Sequence, residues 1–185
     1  MKENHQGVAD KHIWFVLLGI IALFTLVVLY ARHVGIVRQE AQSQVPVVAR
    51  YNNYAYGVSL RYPPDWRPVG GSAYDRYEGD DGFFSLSAGG DALITLDDMV
   101  KVETTNPQKS YGVHPTVLDL FIDKQSAKLV MPSPDQSASM RGQAVLIVKY
   151  PKPVTIGPNT YHYLVFWADR AHIQDIASSV AFINK

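Results

Sequence analysis

The chain has 185 residues, in which 17 lysines and arginines balance 17 aspartates and glutamates. This neutral balance excludes the clustered basic surface that binds nucleic acid, and no polybasic segment is present for anionic lipid. The absence of cysteine excludes thiol catalysis and disulfides. The residues beyond position 50 are suited to one domain with one hydrophobic core.

Residues 13–31 are predicted to form a transmembrane helix. Ile13 to Tyr30 is an uncharged apolar run, and a helix of that length measures about 27 Å, close to the roughly 30 Å hydrocarbon core of a bilayer. Trp14 and Tyr30 stand at its two ends, where aromatic rings favour the headgroup level. The run is longer than a secretory h-region and lacks a convincing cleavage site, which favours an uncleaved signal-anchor. A cleaved signal peptide and a buried soluble helix are the alternatives.

The predicted membrane orientation follows from the position of the span. Lys2 and Lys11 precede it while Arg32 and Arg38 follow it, so the positive-inside rule gives a tie. A span this close to residue 1 can lead the following domain across the plasma membrane of a bacterial cell. This orientation predicts a cytoplasmic tail (1–12), a juxtamembrane linker (32–50) and an extracytoplasmic domain (51–185).

The domain is predicted to be α+β, with packed helices on an antiparallel sheet. Alternating apolar residues predict a first strand from Tyr56 to Tyr62, which ends at Pro63. The acidic segment from Glu78 to Gly82 predicts a tight hairpin turn. The other predicted strands are residues 74–77, 83–88, 117–122, 126–131, 144–150 and 161–168, and residues 45–53 are predicted to be a connector.

Two helices are predicted after the first strands. Thr95 can cap a helix and Asp98 stands at the capping-box position, which predicts a helix beginning there. A C-terminal helix is predicted from about Arg170, because apolar residues recur at helical spacing. Those apolar residues are Ile173, Ile176, Ala177 and Val180.

Polar residues that could carry chemistry do not match a known motif. Calcium would favour a carboxylate-dense turn, but the acidic spacing here differs from an EF-hand loop, and we interpret the turn as a solvated hairpin tip. The histidines lack the short spacing of a metal site, and no serine has the Gly-x-Ser-x-Gly setting of a nucleophile. We therefore predict no catalytic residue, no metal and no cofactor. The residues concerned are Asp75, Glu78, Asp80, Asp81, His114, His162 and His172.

An aromatic-rich stretch from residue 51 to 77 provides the candidate binding surface. Some of its tyrosines and tryptophan must fill the core, while others are available to line a groove, since both residue types are enriched at binding surfaces. The candidate binding residues are Tyr54, Tyr56, Trp66, Tyr74 and Tyr77.

The opening segment GVSLRYPPDW and the closing segment YHYLVFWADRAHIQDIASSVAFI resemble the PsbP-like α/β/α sandwich. In that family an opening strand ends in a Tyr-Pro-x-x-Trp turn, here Tyr62 to Trp66, and the final strand leads into a helix that ends near Phe182. The resemblance spans about Tyr51 to Ile183. The family includes extrinsic photosystem subunits and bacterial envelope domains, so the resemblance implies a non-catalytic interaction or assembly domain. It assigns no functional residue.

The favoured hypothesis is a single-pass, membrane-anchored binding or assembly module whose partner is an envelope protein or a cell-wall component. The first alternative is a membrane-anchored hydrolase, which requires at least two scattered acidic and histidine side chains to converge in a pocket. The second alternative is a sensor subunit that acts through a partner in the membrane. The hydrolase would draw on Asp80, Asp81, Asp97, His114, His162 and His172.

Overall fold

The computed structural model describes residues 23, 25–30, 47–71 and 74–183. The chain divides into two compact units, Met1–Val47 and Val48–Lys185. In the first unit, residues 23 and 25–30 are helical and their side chains are exposed. Over the described positions, no helix is both long enough and apolar enough to cross a membrane. Most of the predicted transmembrane helix (13–31), together with the predicted tail and most of the linker, lies outside the described residues, so the anchor stays a prediction.

The described part of the second unit consists of ten strands, two short α-helices and one 3-10 turn, Ala138–Met140. The helices are α1 (Leu96–Thr104) and α2 (Ile173–Ser178). The strands are β1 (Ala49–Asn53), β2 (Val58–Tyr62), β3 (Arg67–Pro68), β4 (Asp75–Glu78), β5 (Phe83–Gly89), β6 (Thr116–Ile122), β7 (Gln125–Met131), β8 (Gln143–Ile156), β9 (Asn159–Asp169) and β10 (Ala181–Phe182).

The strands form two antiparallel sheets, which confirms the α+β class predicted for the domain. The large sheet has seven strands in the order β3-β4-β5-β9-β8-β7-β6, and the small sheet has three in the order β1-β2-β10. The predicted acidic hairpin is confirmed, because Glu78 pairs with Phe83 across the turn between β4 and β5. Neighbouring hairpins therefore supply most of the large sheet, while β5 reaches across the chain to pair with β9.

The large sheet has a hydrophobic core on each of its two faces. On one face, residues such as Leu146 and Phe166 pack against the small sheet and against Ile173 of α2. On the other face, Val145 and its neighbours pack against Val100 of α1. The large sheet is therefore the middle layer. One outer layer is a helix, and the other combines a short helix with the small sheet, a departure from the α/β/α layering that the resemblance implies.

Helix α1 begins where the sequence predicts, because Thr95 caps it. The Thr95 hydroxyl accepts a hydrogen bond from the Asp98 N–H at 3.1 Å, and the Asp98 carboxylate accepts one from the Thr95 N–H at 3.0 Å. This reciprocal pair is the predicted capping box. Met99 and Val100 then face the core, which fixes the helix against the sheet.

Three short strands, β1, β3 and β10, were not predicted. β1 occupies most of the segment predicted to be a connector, since its alternate residues Arg50 and Asn52 are polar and exposed and only Tyr51 is buried. β10 has two residues, too few for an alternating pattern, and pairs with β2 after the C-terminal helix has ended. That helix, α2, is also shorter than predicted, with six residues.

Strands β8 and β9 extend beyond their predicted ends into one long hairpin. The segment after Tyr150 has two prolines, Pro151 and Pro153, which indicate a loop in the sequence. In the structure these prolines lie at a β-bulge between Lys149 and Val154, after which pairing resumes as far as Ile156. Proline has no backbone N–H to donate to the hydrogen bonds between strands. The bulge accommodates both prolines, so the strand continues through them.

Candidate functional site

Strand β6 forms one edge of the large sheet, and among the described strands it pairs with β7 alone. It has seven residues without proline or glycine, whereas the opposite edge, β3, has two residues that include Pro68. Short length and proline protect a sheet edge from pairing with another chain. β6 has neither of these two protections, and among the described strands its outer edge is unpaired.

Apolar side chains of β6 are exposed at this edge. Phe121 is 79% exposed, Val117 42% and Leu118 38%. Leu118 pairs with the buried Leu129 of β7 and Val117 with the buried Val130, which lie in the two different cores. Exposed apolar residues therefore occur on both faces of β6, an arrangement typical of a surface that a partner covers.

The turn after β6 determines which of its backbone groups point outward. Asp123 and Lys124 both have positive φ angles, 45° and 69°, as in a two-residue type I′ hairpin. In such a hairpin the flanking residues, Ile122 and Gln125, form a hydrogen-bonded pair, and alternate residues then direct their backbone groups to opposite sides. The residues whose N–H and C=O groups point away from β7 are therefore Val117, Asp119 and Phe121.

An apolar groove adjoins the end of β6 beside helix α2. Its volume is about 310 Å³. Hydrophobic residues of β6 and β7 form one wall, and the exposed side of α2 contributes the rest. A strand added to β6 could place alternate side chains in this groove. The lining residues are Leu120, Phe121, Ile122, Leu129, Gln174, Ala177 and Ser178.

A group of three charges lies next to the exposed apolar residues of β6. The Lys128 ammonium is 2.7 Å from Asp119 of the same hairpin and 2.9 Å from Asp97 of α1. Hydrogen bonds to Asp119 and then to Asp97 raise the pKa of Lys128. Two carboxylates thus share one ammonium group, and this group of three charges has a net charge of −1.

Three of the five predicted binding residues pack in or against the core. Trp66 is 1% exposed, and its indole N–H donates to Asp81 at 2.7 Å. Tyr77 stacks on Phe84 with ring centroids 4.9 Å apart, and Tyr56 is partly buried against the same core. Packing accounts for the aromatic character of these three positions.

The other two predicted binding residues are exposed but lie in separate places. Tyr54, 78% exposed, is in the turn after β1 and lies beside Lys152 and Pro153 of the β8 bulge. Tyr74 is 50% exposed, and its ring centroid is 5.4 Å from that of Trp167. The structure does not bring the five predicted residues together into one groove.

The tip of the acidic hairpin, Asp80 and Asp81, is exposed as its composition indicates, but three of the four carboxylates of this acidic group also bind specific partners. Asp75 accepts hydrogen bonds from the Tyr51 hydroxyl and from Asn53. In the described residues, no group of three or more acidic and histidine side chains is arranged to hold a metal ion. The other two carboxylates that bind partners belong to Glu78 and Asp81. Glu78 forms ion pairs with Arg76 and Arg141, and Asp81 accepts a hydrogen bond from the Trp66 indole.

His172 connects the acidic turn to the start of helix α2. Its Nδ1 is 2.8 Å from Asp169 Oδ1, its Nε2 is 3.5 Å from Asp81 Oδ2, and its ring meets Trp66 edge-on. Asp169, 7% exposed, also accepts from the Phe83 N–H at 3.1 Å. We call Trp66, Asp81, Asp169 and His172 the histidine latch. Two of the six hydrolase candidates, Asp81 and His172, therefore meet here.

The remaining hydrolase candidates lie elsewhere. The backbone N–H of His114 donates a hydrogen bond to the Ser133 hydroxyl, and the backbone N–H of His162 donates one to the Gly90 carbonyl. Asp97 binds Lys128 beside β6. Asp80 is exposed in the acidic turn.

Acid is expected to weaken the fold through carboxylates whose pKa the structure lowers. Hydrogen bonds from Arg141 and Arg76 lower the pKa of Glu78, and the hydrogen bond from Trp66 lowers that of Asp81. Such a group stabilises the fold above its unfolded pKa, and the contribution is lost as pH falls through the folded pKa. We expect the contribution of these groups to the free energy of unfolding to stay constant near neutral pH and to decrease below about pH 4.

Urea unfolding of the full chain between pH 3 and 7, with Glu78→Gln beside the wild type, measures this effect. The variant is expected to be less stable at pH 7, by less than about 1 kcal/mol because the ion pairs are partly exposed, and to lose less stability on acidification. Asp65→Asn, at an exposed position, is the control. An acid-induced loss as steep in Glu78→Gln as in the wild type would contradict the prediction.

The exposed edge at β6 was missed from the sequence, although the strand itself was predicted. Apolar residues at consecutive positions, Leu120 to Ile122, are typical of a strand buried on both faces. The one signal against burial is Asp119, a charge in the middle of the apolar run. Strand order, which decides whether β6 is central or peripheral, depends on distant parts of the chain.

No family model matches the sequence, and no curated protein matches it. Among solved structures, the chain is similar to the solution structure of cyanobacterial PsbP (CyanoP) from Synechocystis sp. PCC 6803, with 16% sequence identity and a TM-score of 0.44. The match covers 75% of this chain and 95% of that chain. At this identity and TM-score the similarity assigns no family, partner or residue role to this chain.

Proposed function

We propose that this chain is a membrane-anchored, non-catalytic binding module of a bacterial cell envelope and that it engages a partner protein through β6. One span at residues 13–31 holds the domain outside the plasma membrane, with the N-terminus in the cytoplasm. The observation that carries the proposal is the seven-residue edge strand, without proline or glycine, that exposes apolar side chains beside an apolar groove.

The mode of binding that this surface supports is strand addition. An extended segment of the partner forms main-chain hydrogen bonds with the outward backbone groups of Val117, Asp119 and Phe121. Its side chains alternate between the two faces of the enlarged sheet. One set covers Val117 and Phe121, and the other approaches Leu118, Leu120 and the groove beside α2. Main-chain pairing supplies affinity, and the side-chain contacts supply selectivity.

Site-specific photocrosslinking in the cells that make the chain tests this proposal. A photoreactive phenylalanine analogue replaces Phe121 in one variant and Leu93 in the control, because Leu93 is an apolar residue that is 91% exposed on a loop. We expect an adduct with one envelope protein from position 121 and none from position 93. Adding Asp119→Pro removes one outward backbone N–H and restricts the φ angle of that residue. The partner strand then loses a main-chain hydrogen bond, so the adduct should be lost.

The outcomes separate the alternatives. Equal adducts from positions 121 and 93, or none from position 121, would refute binding through β6. An adduct that contains two copies of this chain would make the partner a second copy, and an adduct with cell-wall glycan would make it a wall component. Both results contradict the proposed partner, which is a protein other than this chain.

The proposed orientation has its own test. A reporter that is active only outside the cytoplasm, fused after Lys185, is expected to be active. The same fusion with residues 13–31 deleted should be inactive, because nothing would then lead the domain across the membrane. Activity of a cytoplasmic reporter at the same position would overturn the proposed location.

A second candidate function is hydrolysis, and the histidine latch is the observation that favours it. His172 lies between Asp169 and Asp81, an arrangement that could orient an imidazole base. Turnover of ester, amide or phosphate substrates by the full chain, lost in His172→Asn, would support this candidate. Turnover that is unchanged in that variant, or no turnover at all, would exclude the latch as its site.

A further inference from the structure

The β6 surface has a definite charge pattern as well as an apolar character. Asp119 lies two residues from Val117 and two from Phe121, and its side chain is 85% exposed. All three residues present their backbone groups outward. Building on the proposed function, we propose that the partner segment is an extended strand with an apolar–basic–apolar pattern at alternate positions. Its lysine or arginine lies opposite Asp119.

The charge beside β6 is unbalanced without a partner. Lys128, directly opposite Asp119 in the β6–β7 register, is only 18% exposed and is shared with Asp97 at 2.9 Å. Within this group of three, two carboxylates and one ammonium leave one carboxylate charge unmatched. A basic side chain from the added strand completes the pairing, whereas an acidic side chain there would add repulsion.

The alternation of a strand fixes where the basic residue must lie. Residues opposite each other in antiparallel strands have Cβ atoms about 4.5–5.5 Å apart and point to the same face. The partner residues two positions before and after the basic one therefore lie opposite Val117 and Phe121 and should be apolar. The residues between them lie on the face of Leu118 and Leu120, which is also apolar.

The same pattern argues against a second copy of this chain as the partner. Antiparallel pairing of β6 with itself, in the register that places Val117 opposite Phe121, also places Asp119 opposite Asp119. Like charges at directly opposed positions destabilise a strand pair. A basic partner strand avoids this repulsion and keeps the apolar contacts, so the observations favour a different protein.

Fluorescence anisotropy with three labelled peptides tests the inference. Each peptide has the core Val-Leu-X-Leu-Val, with lysine, glutamine or glutamate at X, and is titrated with the full chain in mild detergent. We expect the lysine peptide to bind roughly tenfold more tightly than the glutamate peptide, with glutamine between them, and the difference to shrink at high salt. The Phe121→Asp variant corrects for partition of the labelled peptides into detergent micelles. It should abolish peptide binding at β6 and leave that partition unchanged.

Variants of Asp119 provide the decisive comparison. In Asp119→Asn the preference for lysine should fall to about twofold or less, and in Asp119→Lys it should reverse, with circular dichroism confirming that each variant is folded. Equal binding of the three peptides to the wild type would overturn the charge inference and leave strand addition standing. No binding that depends on Phe121, for any peptide, would overturn the proposed function and this inference with it.

Discussion

Replacing Trp66 with alanine is expected to destabilise the domain by about 3–5 kcal/mol, the range for removing a large aromatic side chain from a packed core. Trp66 is 1% exposed, with Phe84 on one side and His172 on the other. The substitution also removes the hydrogen bond to Asp81. Urea unfolding followed by far-ultraviolet circular dichroism measures the loss, and the midpoint of thermal unfolding should fall by roughly 10 °C.

Two further variants separate the causes. Tyr54→Ala removes an exposed ring and should cost less than about 1 kcal/mol. Trp66→Phe keeps part of the packing but loses the indole N–H, so its cost should lie between those of the alanine variants. If Trp66→Ala were no more destabilising than Tyr54→Ala, the assignment of Trp66 to the core would be wrong.

Asp169→Ala is expected to have the next largest effect, about 2–4 kcal/mol. The Asp169 carboxylate is nearly buried, and it accepts hydrogen bonds from the Phe83 N–H at 3.1 Å and the Ala171 N–H at 3.0 Å, besides its contact with His172. Alanine leaves the Phe83 N–H in a buried place without its acceptor, and an unsatisfied buried donor costs about 1–3 kcal/mol. The histidine latch loses its central carboxylate at the same time.

The matched control for Asp169→Ala is Asp175→Ala, which removes an exposed carboxylate from helix α2 and should cost less than about 1 kcal/mol. Both variants are compared with the wild type by urea unfolding at pH 7. Equal losses would show that the latch contributes nothing beyond an ordinary surface charge. Asp169→Asn keeps one acceptor oxygen, so it should retain part of the stability.

Local signals explain which parts of the fold the sequence predicts. The Asp98 capping box, the acidic hairpin and the alternating strands each depend on residues close together in the chain, and the structure contains all of them. β1 was missed because only one of its residues is buried, although it forms a local hairpin with β2. β10 was missed because its pairing with β2 joins residues that are far apart in the chain. The prolines of β8 predict a loop, but the strand continues through them because they lie at a β-bulge.

The candidate surface could be predicted far less well than the fold. The sequence does not distinguish an aromatic side chain that fills a core, such as Trp66, from one that is exposed, such as Tyr54. The exposed position of Phe121 depends on β6 being the last strand of its sheet, and strand order is set by contacts between distant segments. Asp119 carries one local hint, since a charge inside an apolar strand is costly unless that face meets solvent.

The pairing of β10 with β2 has a consequence for the order in which the domain acquires structure. Ala181 pairs with Ser59, and the segment between them contains the whole large sheet, so closing this contact carries a large loop-closure entropy. Contacts between such distant residues slow folding, whereas the β6–β7 hairpin needs only its two-residue turn. The hairpin that carries the apolar edge can thus form early, whereas the small sheet gains its third strand only when residues 181–182 reach β2. During that interval the exposed apolar side chains of β6 belong to an incompletely folded chain, the state in which aggregation is favoured.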